Sequence, residues 1–299
     1  MNTAVIDIGT NTLLLLIVDE HLKRVVDLCR FGRLGKGLDA SGNLAPDAVA
    51  KSLDICREYR RVMDEHGVKA PSIIATQALR EAKNGSDFVA PAEALLGGTI
   101  DIIGGEREAE LAYKSVAQVF PALAGTPYVV VDVGGGSTEF IVTDGTRVVS
   151  AVSVPIGAVR LTERHLKHDP PTAAEIFALD DDIARVLQPL ELPAGVPLIG
   201  TAGTATTIAA VALGLTTYDP DKVTGLRLAP EIVAELRDAM LAKSTAERTA
   251  LPGVEPQRAD VIAAGIAIYV RALARIDAPT MIICDRGIRW GLAVELAKL

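Results

Sequence analysis

The strongest constraint on the fold is a motif that occurs twice. Near the start, Ala4-Val5-Ile6-Asp7-Ile8 runs into Gly9-Thr10-Asn11-Thr12 and resumes as the apolar run 13–18. Later, Val129-Val130-Val131-Asp132-Val133 runs into Gly134-Gly135-Gly136-Ser137-Thr138-Glu139 and resumes as Phe140-Ile141-Val142. Each copy reads as a buried strand that reaches an Asp, turns through Gly and hydroxyl residues, and returns as a second strand. Small turn residues let backbone N–H groups approach an anion closely, and the Asp can hold a cation or a water. Two copies predict two related α/β domains, 1–120 and 121–299, gripping one phosphate-bearing ligand between them.

A chain of 299 residues is long enough for two cores. Ala, Val, Leu and Ile dominate and aromatics are scarce, which suits parallel or mixed sheets. The net charge of −8 argues against bulk nucleic-acid binding. It leaves room for a polyanionic ligand, because a local pocket of Arg and N–H groups with Mg²⁺ inverts the field there. Cys29, Cys56 and Cys284 have no metal-ligand spacing and read as reduced core or near-core thiols. His165 and His168 read as part of a solvated polar face. No signal peptide precedes the first strand and no apolar run reaches membrane-spanning length, so a cytoplasmic protein without a membrane partner is expected.

Between the motifs, a Gly-rich loop with two cations, Gly32-Arg33-Leu34-Gly35-Lys36-Gly37, precedes a helix over 46–66. A strand at 71–75 leads into a short helical segment from Thr76 to a stop at Gly85, and a strand at 99–103 ends at Gly104-Gly105, where another helix begins. The second half repeats the order. It has a hairpin over 128–154, a helix near 172–188, a strand at 196–199, a helix near 204–213, helices near 230–243, 256–275 and 287–298, and a strand at 281–284. The last helix, 287–299, can belong to either domain.

Three consecutive glycines are costly in backbone entropy and are kept for φ freedom or close approach. With Asp132 and Glu139 on opposite arms of the turn, Gly134, Gly135, Gly136, Ser137 and Thr138 make the strongest candidate site. Hard carboxylate oxygens so placed suit Mg²⁺ that retains several waters. Gly9, Thr10, Asn11 and Thr12 alone are ordinary turn residues, and the echo of the second motif raises them to a phosphate loop. Gly200-Thr201-Ala202-Gly203-Thr204, between a buried strand and a helix, has the pattern of a second phosphate-loop type, with an N-capped strand-to-helix turn as the plain alternative. Arg80 suits a bidentate phosphate contact. Glu106, Glu108 and Glu110 crowd one helix start, and any of them could act as a general base on water. Periodicity does not choose among the three. Arg160, after Pro155-Ile156-Gly157, closes the far strand of the second hairpin and offers another cation.

These segments, together with Asp285–Gly291, resemble the exopolyphosphatase and guanosine pentaphosphate phosphatase family of the actin, sugar-kinase and Hsp70 superfamily. The resemblance implies two ribonuclease-H-like domains with an interdomain cleft and Mg²⁺-dependent release of terminal orthophosphate, with Mn²⁺ as an alternative ion. It assigns the catalytic role to Glu108, directly before Ala109, with Arg80 near the terminal phosphate. It assigns metal positions to Asp132 and Glu139, and phosphate loops to Gly9–Thr12, Gly134–Thr138 and Gly200, Thr201, Gly203 and Thr204. Arg107 replaces the commoner acidic neighbour, and Leu13-Leu14-Leu15 stands where many members carry an Arg. The expected activity is that of an exopolyphosphatase acting on inorganic polyphosphate. A guanosine pentaphosphate phosphohydrolase and a non-catalytic polyphosphate- or nucleotide-binding regulator are the alternatives, and a homodimer is left open.

Overall fold

Apolar runs of about six residues, bounded by Gly and hydroxyl turns, form the strands of a computed structural model that describes residues 2–297. Residues 1, 298 and 299, at the ends of the expected domain ranges and of the expected last helix, lie outside the described residues. The chain divides into two units, 1–115 with 288–299, and 116–287.

In the first unit, β1 (Thr3–Ile8), β2 (Leu13–Val18) and β3 (Arg24–Arg30) form an antiparallel meander. After α1 (Leu38–Ser41) and α2 (Pro46–Glu65), β4 (Ser72–Ala75) adds parallel to β1. The helices α3 (Gln77–Glu81) and α4 (Ser86–Leu96) lead to β5 (Ile100–Ile102), parallel to β4. The sheet order is β3-β2-β1-β4-β5. Helix α5 (Gly105–Val119) then carries the chain towards the second unit. Ile6, Ile8, Leu13, Leu15 and Ile17 share one core with Cys56, Tyr59, Met63 and Phe88.

In the second unit, β6 (Tyr128–Val133), β7 (Thr138–Thr143) and β8 (Val148–Val154) repeat the meander. They are followed by α6 (Ala158–His165), α7 (Ala173–Leu187), β9 (Leu198–Thr201), α8 (Ala202–Ala212), α9 (Pro220–Val223) and β10 (Arg227–Leu228). Then come α10 (Pro230–Leu241), α11 (Thr245–Thr249), α12 (Ile262–Ile276) and β11 (Met281–Ile283). The sheet order is β10-β11-β9-β6-β7-β8, with β9 parallel to both β6 and β11. Read as β8-β7-β6-β9-β11, it is the order of the first sheet, so the expected pair of ribonuclease-H-like units is present. Helix α13 (Ile288–Leu296) returns to the first unit and packs on β1 and β2.

Four local expectations need correction. Cys29, read as a core or near-core thiol, is exposed, whereas Cys56 and Cys284 are buried. The segment after Gly85 is not merely a connection: α4 buries Phe88, Ala92 and Leu96 at four-residue spacing, and Pro91 inside it masks the helical signal. Residues 158–160 do not continue the hairpin strand but open α6, because Gly134 and Gly135 supply carbonyls to its first N–H groups. His165 is not solvated; its Nε2 lies 2.8 Å from Asp182 Oδ2 on α7. Among the described residues no helix is long and apolar enough to cross a membrane.

Candidate active site

In the first unit the turn after β1 is closed by Gly9 N–H donating to Thr12 O at 2.9 Å. A Cβ on Gly9 would stand 3.1 Å from that oxygen, which is why glycine starts the turn. The turn is buttressed by the loop after β3. Arg33 N–H donates to Asn11 O at 3.0 Å and Gly35 N–H to Thr10 O at 2.8 Å. A Cβ on Gly35 would strike the Thr10 methyl, and Arg33 holds a positive φ of 58° to make the approach. Thr10 Oγ1 donates to Gln77 Oε1 at 2.9 Å, tying the turn to α3. Thr10 and Asn11 are buried, as is Asp7 at the end of β1, whose register partner on β2 is Leu14.

The three candidate glutamates separate cleanly. Gly104-Gly105 ends the β5 segment and α5 starts, with Glu108 N–H donating to Gly104 O at 3.0 Å. Glu106 is exposed, and Glu110 is engaged on the surface by Arg107 at 2.6 Å and Lys114 at 2.7 Å. Glu108 alone of the three is buried, and it forms an ion pair with Arg80 from α3. Arg80 also donates to Ile103 O at 2.6 Å, which fixes the guanidinium at the end of β5. A carboxylate in the first turn of a helix is favoured by the helix dipole. Arg107, the departure noted in the sequence, pairs with Glu295 of α13, as does Lys114, and these two cations hold the Glu295 carboxyl down at about 2.

In the second unit the turn has the same closure. Gly134 N–H donates to Ser137 O at 3.0 Å, and a Cβ on Gly134 would stand 3.1 Å from that oxygen. Its buttress is the start of α6. Ala158 N–H donates to Gly134 O at 2.9 Å, and Val159 and Arg160 N–H donate to Gly135 O at 2.8 and 3.1 Å. Gly157 is required by close approach, since a Cβ there would lie 2.6 Å from Gly135 and Gly136 backbone atoms. Arg160 is thereby buried on a helix, donating to Pro155 O at 3.4 Å.

Asp132 and Glu139 are direct register partners on β6 and β7, so both side chains leave the same face of the sheet. Burial pushes the Asp132 carboxyl up to about 6, offset in part by the Thr201 side chain. Glu139 is buried and its Oε1 accepts from Ser137 Oγ at 3.0 Å and Ser153 Oγ at 2.7 Å. A half-buried carboxylate that resists ionisation, beside a buried one held by hydroxyls, fits a hard divalent cation. Among the described residues no group of three or more His, Cys, Asp or Glu gathers as a metal cage. Mg²⁺ commonly uses one or two carboxylates and completes its shell with water and phosphate oxygens.

The remaining loop candidates fall into two groups. Gly203 lies in the turn at the start of α8, which Ala202 enters with a φ of 65°. The Arg258 guanidinium lies against Gly203 where a Cβ would project, a cation that the sequence reading did not single out. Thr201 ends β9 as the register partner of Asp132. Gly200, Thr138 and Thr204 are turned inward. Gly200 leaves room for Tyr269 and Met281, the Thr138 hydroxyl donates to Ile156 O at 2.7 Å, and Thr204 packs against Gly265 of α12.

The model of the Ppx/GppA phosphatase family matches residues 15–299. Exopolyphosphatase 2 of Mycobacterium tuberculosis is 35% identical over 317 residues, covering 98% of each chain. A guanosine-5'-triphosphate,3'-diphosphate pyrophosphatase of Vibrio cholerae is 29% identical over 303 residues, covering 99% of this chain and 59% of its own. The crystal structure of an exopolyphosphatase from Cytophaga hutchinsonii superposes with a TM-score of 0.91 at 27% identity, covering 100% of this chain and 98% of that one. The chain belongs to the Ppx/GppA phosphatase family.

Proposed function

We propose that this chain hydrolyses phosphoric anhydride bonds, releasing terminal orthophosphate from inorganic polyphosphate. The observation that carries the reading is Glu108, the one buried glutamate of its helix start, paired with Arg80 in a chain of this family.

Roles divide between the units. Glu108 orients the attacking water and accepts its proton, and Arg80 neutralises oxygens of the terminal phosphate. The turns Gly9–Thr12 and Gly134–Ser137 present N–H and hydroxyl donors to phosphate oxygens, with further donors from Thr201 and Gly203. The inward-facing Gly200, Thr138 and Thr204 serve these turns by packing. Asp132 and Glu139 would hold Mg²⁺, or Mn²⁺ in its place, and when bound the ion would draw charge off the reacting phosphoryl oxygens. Positioning and electrostatics therefore supply most of the rate. The reading places the chain in the cytoplasm, where thiols such as Cys56 and Cys284 stay free.

A second reading, hydrolysis of guanosine pentaphosphate to the tetraphosphate, is favoured by the name of the Vibrio cholerae relative. A panel of long polyphosphate, short polyphosphate and guanosine pentaphosphate, assayed for orthophosphate release with Mg²⁺ and with Mn²⁺, decides between them by kcat/KM. Polyphosphate preferred by about tenfold or more, 1.4 kcal/mol of transition-state binding, supports the first reading. The reverse ranking supports the second, and release from none of them leaves a binding regulator.

A further inference from the structure

The central strands of the second unit, β6 and β9, run parallel with Val131 opposite Gly200 and Asp132 opposite Thr201. Beyond that last pair each enters a turn: β6 leads into the glycine triplet, and β9 into Ala202 and Gly203. The fully buried Tyr269 of α12 reaches this point of divergence. Its hydroxyl donates to Thr201 O at 2.7 Å and shares the same proton with Val131 O at 3.0 Å. The Val131 carbonyl lies in the peptide plane whose nitrogen is that of Asp132. The Thr201 carbonyl lies in the plane that leads into Ala202, whose positive φ launches α8.

A phenylalanine would fill the same volume. The hydroxyl is a polar group held out of water, which is tolerable only with partners, and the partners are backbone atoms at the origins of the two turns. Gly200 leaves the space beside the ring to the Met281 methyl, which a Cβ there would strike, with Tyr269 Cε1 at 3.2 Å. We propose that Tyr269 is a positioning residue: by tying β6 to β9 it sets the spacing between the Asp132–Glu139 carboxylate pair and the Thr201–Gly203 turn. This rests on the reading of Asp132 and Glu139 as the metal carboxylates.

The test compares the full-length wild type with Tyr269→Phe, Asp132→Asn and Tyr59→Phe. Tyr59 is a matched control in the first unit, where its buried hydroxyl donates to Leu13 O at 2.7 Å. Mn²⁺ binding is measured without substrate by electron paramagnetic resonance, and hydrogen exchange is followed at amides 132–137 and 201–204. Tyr269→Phe is expected to weaken Mn²⁺ roughly tenfold, in the range of second-layer metal partners. It should also speed exchange in both turns and lower kcat with KM for polyphosphate unchanged. Tyr59→Phe should lower Tm by a similar amount with Mn²⁺ affinity intact. If Tyr269→Phe does not fold, Tyr269→Leu, which also removes the hydroxyl, stands in and should weaken Mn²⁺ in the same direction. Asp132→Asn that still binds Mn²⁺ as wild type would overturn the metal reading itself. Asp132→Asn that abolishes binding, alongside Tyr269→Phe or Tyr269→Leu that leaves both Mn²⁺ affinity and turn exchange unchanged, overturns the role of Tyr269.

Discussion

The turn after β1 and the turn after β6 are the same piece of geometry held in two different ways. In both, a glycine N–H closes onto the carbonyl three residues on, and in both a Cβ on that glycine would stand 3.1 Å from the oxygen. Both are supported by the segment that follows the third strand of the meander. In the first unit that segment is an irregular loop, in which Arg33 and Gly35 donate to Asn11 and Thr10. In the second it is a helix N-terminus, whose first N–H groups donate to Gly134 and Gly135. The chemistry differs too. Asp7 faces Leu14 across the strands, whereas Asp132 faces Glu139. On the proposed reading, a duplicated scaffold offers one turn for phosphate alone and one for phosphate with a cation. The proposed base Glu108 and its partner Arg80 sit in the unit without the carboxylate pair.

The sharpest way to break this comparison is to exchange the carboxylates for amides at equivalent positions. Asp132→Asn is expected to lower kcat with Mg²⁺ by about a hundredfold or more, because on the proposed reading it removes a metal ligand and with it several kcal/mol of charge stabilisation. Asp7→Asn should cost about tenfold or less, the value of one hydrogen bond of roughly 1 kcal/mol. Equal losses in steady-state kinetics would erase the proposed division.

The buttresses come next. Gly157→Ala forces a methyl onto backbone atoms of the glycine triplet at 2.6 Å, so the turn itself must move. Overpacking of this kind costs about 1–3 kcal/mol, read as a lower denaturation midpoint, and phosphate affinity should fall with it. Gly35→Ala meets the Thr10 methyl, a side chain that can rotate at the expense of its bond to Gln77, so a loss of about 1 kcal/mol is expected. A larger loss at Gly35 than at Gly157 would reverse the ranking.

The smallest effect is on pH. The Asp132 carboxyl, pushed up to about 6 by burial, is raised above its unfolded value. The folded metal-free protein therefore holds this proton more tightly than the unfolded chain does. Its contribution to stability rises as pH falls from about 7 to 4, and Asp132→Asn should flatten that part of the profile. On the proposed reading Mg²⁺ at Asp132 would have to displace this proton, so its affinity should weaken as pH drops through about 6, as titration calorimetry at two pH values would show.

Much of this was legible because strand patterns and glycine turns are local. The two motifs, the helix α2 and the helix α7 are all written in contiguous residues. What escaped depends on partners distant in sequence. Periodicity leaves Glu108 level with Glu106 and Glu110, and only the family resemblance singles it out; the physical reason, its pairing with Arg80, lies 28 residues away. Helix α6 begins where it does because of carbonyls more than twenty residues earlier, and its eight residues carry too little pattern to compete with a continued strand. The Arg33–Gly35 buttress looked like a cationic loop, since its work is done by backbone N–H groups that no side-chain pattern reveals. Tyr269 meets Val131 across 138 residues and reads from sequence as one more apolar position in α12.

The central claim is that Glu108 activates water for anhydride hydrolysis. Orthophosphate release from polyphosphate with Mg²⁺, measured for wild type and Glu108→Gln under saturating substrate, tests it most directly. A fall in kcat of about 10²–10⁴ with polyphosphate binding retained is the predicted result, the range a positioned general base supplies. Release by Glu108→Gln at the wild-type rate would contradict it.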